Sequence, residues 1–106
     1  NQNISSNTKN TPRSFKLHQN YPNPFNPTTT IRYEIPLLRG VSEGRGVFIT
    51  IKIYDLLGRE VFSVNEYKQA GSYEMEFDGS DLASGLYIYQ INSGVFSDSK
   101  KMVLIK

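Results

Sequence analysis

Val47-Phe48-Ile49-Thr50-Ile51-Lys52-Ile53-Tyr54 alternates without interruption. In an extended chain successive side chains leave on opposite faces. Val47, Ile49, Ile51 and Ile53 therefore share one face, and Phe48, Thr50, Lys52 and Tyr54 the other. One face is wholly apolar and the other half so, which predicts a strand in the middle of a sheet. Asp55-Leu56-Leu57-Gly58 follows as a predicted turn, because Gly58 can take the left-handed conformation that tight turns use. Arg59-Glu60-Val61-Phe62-Ser63-Val64 reads as the returning strand.

The same grammar continues toward the C-terminal end. Gly71 precedes Ser72-Tyr73-Glu74-Met75-Glu76-Phe77, in which Tyr73, Met75 and Phe77 alternate with Glu74 and Glu76. Asp78-Gly79-Ser80-Asp81 is turn chemistry. Leu82-Ala83-Ser84-Gly85 leads into Leu86-Tyr87-Ile88-Tyr89-Gln90-Ile91, a strand whose two faces both read as buried. Asn92-Ser93-Gly94 is a hairpin signal, followed by two short segments, Val95-Phe96 and Lys101-Met102-Val103-Leu104-Ile105.

On the N-terminal side, residues 37–46 mix Gly40, Gly44 and Gly46 with charges and are expected to be the least ordered connection. Before them Thr29-Thr30-Ile31-Arg32-Tyr33-Glu34-Ile35 alternates cleanly, with Ile31, Tyr33 and Ile35 facing in, and Pro36 ends it. Pro22-Asn23-Pro24-Phe25-Asn26-Pro27 predicts a stiff, irregular loop, since proline lacks a backbone donor and restricts the residue before it. Phe15 to Tyr21 reads as a strand with Phe15, Leu17, Gln19 and Tyr21 on one face. Residues 1–14 hold one large apolar residue, Ile4, and read as a flexible linker. The folded domain is expected over residues 15–106.

About seven short strands, with turn signals at regular spacing and no helical periodicity, predict an all-β, immunoglobulin-like antiparallel β-sandwich. At 106 residues the chain has room for one modest core. It opens on Asn1 without a basic, apolar signal peptide, so any export signal would lie upstream.

Chemistry for catalysis is sparse. No cysteine is present, which removes disulfides, thiolate metal sites and cysteine nucleophiles together. His18 is the single histidine and reads as a half-exposed strand residue rather than a triad member. Asp78-Gly79-Ser80-Asp81 offers oxygen ligands but lacks the longer loop and closing Glu of a calcium-binding hand. No enzyme activity, cofactor, metal or small-molecule substrate is expected. Twelve Lys and Arg against ten Asp and Glu leave a net charge of +2, too small and too scattered for nucleic acid. Seven tyrosines and six phenylalanines open a carbohydrate-binding reading, centred on Tyr21 and Phe25 beside the proline loop. Most of the other rings fall on apolar strand faces and read as core.

Four blocks, taken in order, resemble a known family. They are Asn20-Tyr21-Pro22-Asn23-Pro24-Phe25-Asn26-Pro27-Thr28-Thr29, Ile53-Tyr54-Asp55-Leu56-Leu57-Gly58-Arg59-Glu60-Val61, Leu82-Ala83-Ser84-Gly85-Leu86-Tyr87, and Lys100-Lys101-Met102-Val103-Leu104-Ile105-Lys106. From Leu17 to Lys106 the chain resembles the type A C-terminal sorting domain of the bacterial type IX secretion system. The immunoglobulin-like part of flagellar hook-capping proteins looks similar, which keeps a structural assembly role in view.

The resemblance implies a domain at the C-terminus of exported cargo, recognised by translocon components and removed by a sortase-like surface peptidase. Cleavage within residues 1–16 is implied, with passage through the periplasm to the cell surface or medium. It assigns recognition to Tyr21, Pro22, Asn23, Pro24, Phe25, Asn26 and Pro27, to Gly85, Leu86 and Tyr87, and to Lys100 and Lys101. The stretch from Leu37 to Gly46 is longer than the family's common pattern.

Overall fold

A computed structural model of the chain describes residues 11–37 and 46–106. These residues form seven strands and no helix. The strands are β1 (Lys16–Leu17), β2 (Thr28–Ile35), β3 (Val47–Tyr54), β4 (Glu60–Lys68), β5 (Gly71–Asp78), β6 (Gly85–Asn92) and β7 (Ser97–Leu104). They make two sheets, β1-β2-β5 and β4-β3-β6-β7, in which neighbouring strands are antiparallel. The three-plus-four division, with chain-adjacent strands exchanged between sheets, is the immunoglobulin-like sandwich that the alternation predicts.

β3 is internal, flanked by β4 and β6, as its strong apolar alternation predicts. Ile49, Ile51 and Ile53 are fully buried, and Ile31, Tyr33 and Ile35 of β2 meet them from the opposite sheet in one continuous core. Phe77 of β5 packs edge-on against Phe62 of β4, with ring centroids 5.6 Å apart, and so ties the two sheets at their open side. Tyr33 stacks on Tyr73 at 5.5 Å across the β2–β5 pair.

Three expectations need correction. The first strand is far shorter than Phe15 to Tyr21: only Lys16 and Leu17 pair in β1. Beyond them the alternation inverts, so that Asn20 is buried and Tyr21 is 80% exposed, while Gln19 is exposed as well. The cause is a set of buried hydrogen bonds around Asn20, which outweighs the apolar pattern.

β4 runs to Lys68, four residues past its expected end. Asn65, Glu66, Tyr67 and Lys68 pair with β3 as an outermost strand, where water reaches one face and polar residues cost little. The last two segments are not two strands: Val95-Phe96 lies in the connection after β6, and the one strand that follows, β7, starts earlier than Lys101, its polar Ser97 to Lys100 pairing with Tyr89 to Asn92 on β6.

Of the expected linker, residues 11–14 carry no strand and residues 1–10 lie outside the described residues. The expectation of a loosely ordered connection falls largely on residues 38–45, also outside them.

Ile51 has no solvent exposure and sits at the centre of β3. Ile51→Ala is expected to lower stability by about 2–5 kcal/mol. Its strand neighbour Thr50, on the outer face, should tolerate alanine within about 0.5 kcal/mol. Urea denaturation of both variants measures the difference, and equal losses would contradict the assigned faces.

Candidate functional site

The Asn-Pro loop is built around a buried amide. Asn20 is 2% exposed, and its Nδ2 donates to Pro22 O at 3.1 Å and to Thr29 Oγ1 at 3.0 Å. Thr29 Oγ1 in turn donates to Pro22 O at 2.8 Å. Proline carbonyls still accept although the residue lacks a donor, so Pro22 is held from two sides. Tyr89 of β6 closes the network from the core: its hydroxyl donates to His18 O at 2.6 Å and accepts from Asn20 N at 2.7 Å. The peptide bonds before Pro22, Pro24 and Pro27 are cis.

Held in this way, the loop lies along the outer edge of β7. Phe25 N donates to Val103 O at 2.9 Å, Ile105 N donates to Phe25 O at 2.9 Å, and Asn23 Oδ1 accepts from Val103 N at 2.9 Å. Gln19 Nε2 adds a bond to Lys101 O at 2.7 Å. The open backbone groups of an edge strand are thereby paired within the chain. Phe25 drives its ring into the core at 1% exposure, edge-on to Phe77 at 6.3 Å. A ring so placed cannot stack on a sugar, which removes half of the pair behind the carbohydrate-binding reading.

Gly85, Leu86 and Tyr87 open β6 at the same end of the sandwich. Tyr87 is buried, and its hydroxyl donates back to Ala83 O at 2.6 Å, a tyrosine corner that fixes the bend into the strand. Gly85 has φ +157° with open space where a Cβ would stand, so a side chain there meets backbone strain but no clash.

Beside it lies the turn after β3. Asp55 Oδ1 accepts from Leu57 N and Arg59 N, each at 2.9 Å, and Oδ2 takes Arg59 Nε at 2.8 Å. Gly58 supports the turn at φ +84°. Turn and bend together line an open groove of about 220 Å³, with Leu56, Leu57 and Arg59 on one side and Ser84, Gly85 and Leu86 on the other.

The terminal lysines divide. Lys101 lies across from Ile88 and is exposed on the outer face, whereas Lys100 lies across from Tyr89, on the other face of β7. The lysine that reaches the Gly85 bend is Lys106. Its Nζ donates to Leu82 O at 2.8 Å and to Ser80 O, and its backbone N donates to Ser84 Oγ at 2.9 Å. Sequence reasoning passed over it, although it closes the same lysine-bearing block. It also missed Asn20, Thr29 and Tyr89 as the supports of the loop.

Electrostatics here serve the turns. Hydrogen bonds from the amide and guanidinium of Arg59, and from Leu57 N, hold the Asp55 carboxyl below the usual carboxylate range. The Ser80 hydroxyl and amide, with Lys106 nearby, do the same for Asp78. Burial pushes the Tyr89 hydroxyl up to about 12. His18 pairs with Glu34 at 3.0 Å. Among the described residues no group of three or more His, Asp or Glu converges as a metal site.

Residues 19–106 match the family described as the secretion system C-terminal sorting domain, and the chain belongs to that family. The domain is a C-terminal sorting signal of the type IX secretion system, which marks the protein for the cell surface or beyond. No curated protein matches the chain.

Tyr89→Phe leaves Asn20 N and His18 O without their partner and is expected to cost about 1–3 kcal/mol at neutral pH. A raised hydroxyl pKa means that stability is complete below the unfolded value near 10 and is lost as pH rises toward about 12. Burial pushes Tyr33 up to about 12 as well, so the variant should keep only the Tyr33 share of this alkaline loss. Urea midpoints from pH 7 to pH 12 test both parts. An alkaline profile unchanged in Tyr89→Phe would contradict the placement of the hydroxyl.

Proposed function

We propose that residues 15–106 act as a folded signal read by the translocon, with residues 1–14 as the tether to cargo. The reading rests on one observation: parts of all four motif blocks gather at a single end of the sandwich. The Asn-Pro loop covers β7, Lys106 holds the approach to Gly85, and the turn at Asp55 faces Gly85 and Leu86 across a groove. A preformed surface docks without the cost of ordering loops.

Within that surface the motif residues take different parts. Tyr21, Pro22, Asn23, Pro24 and Asn26 are exposed and available for contact, with Pro27 partly so. Phe25 and Tyr87 are buried and act by holding the shape. Gly85 and Leu86 border the groove, and Lys101 adds charge to the outer face. Lys100 is partly exposed, on the other face of β7. Cargo would pass through the periplasm, cross the outer membrane while attached to this domain, and be freed by a sortase-like peptidase acting within residues 1–16. Release or attachment to an anionic lipopolysaccharide would follow.

The test is to fuse residues 1–106 behind a periplasmic reporter in a host with the type IX machinery and in a translocon-deficient mutant of it. Surface or extracellular reporter is expected in the first and periplasmic reporter in the second. Periplasmic retention in both hosts would refute the reading, and delivered reporter that still carries residues beyond Lys16 would locate the cut elsewhere.

A further inference from the structure

We infer that the anchor by which this domain docks is the exposed pair Leu56-Leu57 together with the adjoining outer face of the four-stranded sheet. The occupant is a protein surface that offers an apolar pocket edged by carboxylates. The inference rests on the translocon reading and names the part of the molecule that makes the contact.

Leu56 and Leu57 are 67% and 79% exposed, and they are held that way. Asp55 fixes the turn through both carboxylate oxygens, and Gly58 N adds a bond to Asp55 O at 3.0 Å. Two large apolar side chains on a rigid turn lose little freedom on binding, the property of an interface anchor.

The apolar character continues onto the sheet. Register places Tyr54 beside Ile88 and Leu86 beside Val103, and alternation puts all four on the outer face, each half-buried. The rim is cationic. Lys101 is exposed next to Ile88, and the Arg59 side chain is 74% exposed while its partner Asp55 shows only 15%. Lys52, on the same face, is paired with Glu60 at 3.4 Å. Solvent therefore meets more positive than negative charge around the patch, which complements an acidic rim on the partner.

The groove beside the leucines favours a protein over a lipid surface. A depression of about 220 Å³ accepts a projecting side chain, so that leucines enter the partner while the partner enters the groove. A fluid bilayer would meet the leucines but gain nothing from the groove.

The experiment uses residues 1–106 fused to the periplasmic reporter, in four forms: parent, Leu56→Ser with Leu57→Ser, Lys101→Glu, and Val95→Ser. Val95 is 77% exposed in the β6–β7 connection at the far end of the sheet and serves as the control. Surface delivery of the double variant should fall by about tenfold or more and that of Lys101→Glu by a few-fold. Val95→Ser should match the parent, with urea midpoints alike for all four.

Delivery of the double variant equal to a delivered parent would overturn the inference and leave the sorting reading intact. A parent retained in the periplasm would remove the reading itself, and the inference with it. Should the double variant lose stability, Lys101→Glu decides, because its side chain is exposed. The purified domain is also mixed with vesicles of phosphatidylethanolamine and phosphatidylglycerol. Leucine-dependent cosedimentation would overturn the protein occupant in favour of a membrane, and its absence would uphold it.

Discussion

The edge of β7 is the constraint on which the site depends. An outermost strand shows unpaired amides and carbonyls, and a sandwich of this size has little core to spare for a separate covering element. The chain covers the edge with its own proline loop: Val103 is bonded at both its amide and its carbonyl, and Ile105 at its amide. Because prolines cannot complete a ladder, the loop makes only isolated contacts and needs holding from behind. Asn20, Thr29 and the Tyr89 hydroxyl supply that support.

From this single arrangement several features follow together. Phe25 is carried into the core by the same backbone that pairs with Val103. Tyr87 and Tyr89 divide their labour on one face of β6, one fixing the bend at Ala83 and the other anchoring the loop at His18. Lys106, just beyond the paired edge, is left able to reach the carbonyls of Ser80 and Leu82. The first and last motif blocks are thus one structure, although most of the chain separates them.

Much of this was legible in the sequence, because burial of one strand face imposes a period that β2, β3 and β5 display. The pattern failed where side-chain hydrogen bonds or an exposed edge outweighed it. Asn20 is a polar residue turned inward because its amide is fully used, and nothing in simple alternation marks it. The second half of β4 and the first half of β7 are polar because they lie at sheet edges, so their strands were read short. The motif residues were found by resemblance, yet their roles were not. Phe25 reads as an exposed ring and is a core residue, and the lysine that touches the Gly85 bend is Lys106.

The account makes the sorting signal a folded surface whose shape is kept by a loop clamped to an edge strand. Amide hydrogen exchange resolved at single residues tests that claim most directly. The Val103 and Ile105 amides, which face no neighbouring strand but donate to Asn23 Oδ1 and Phe25 O, should exchange as slowly as amides within the β6–β7 ladder. Asn23→Ala should speed Val103 selectively. Rapid exchange at both amides in the unaltered chain would mean that the loop is not clamped, and would contradict the account.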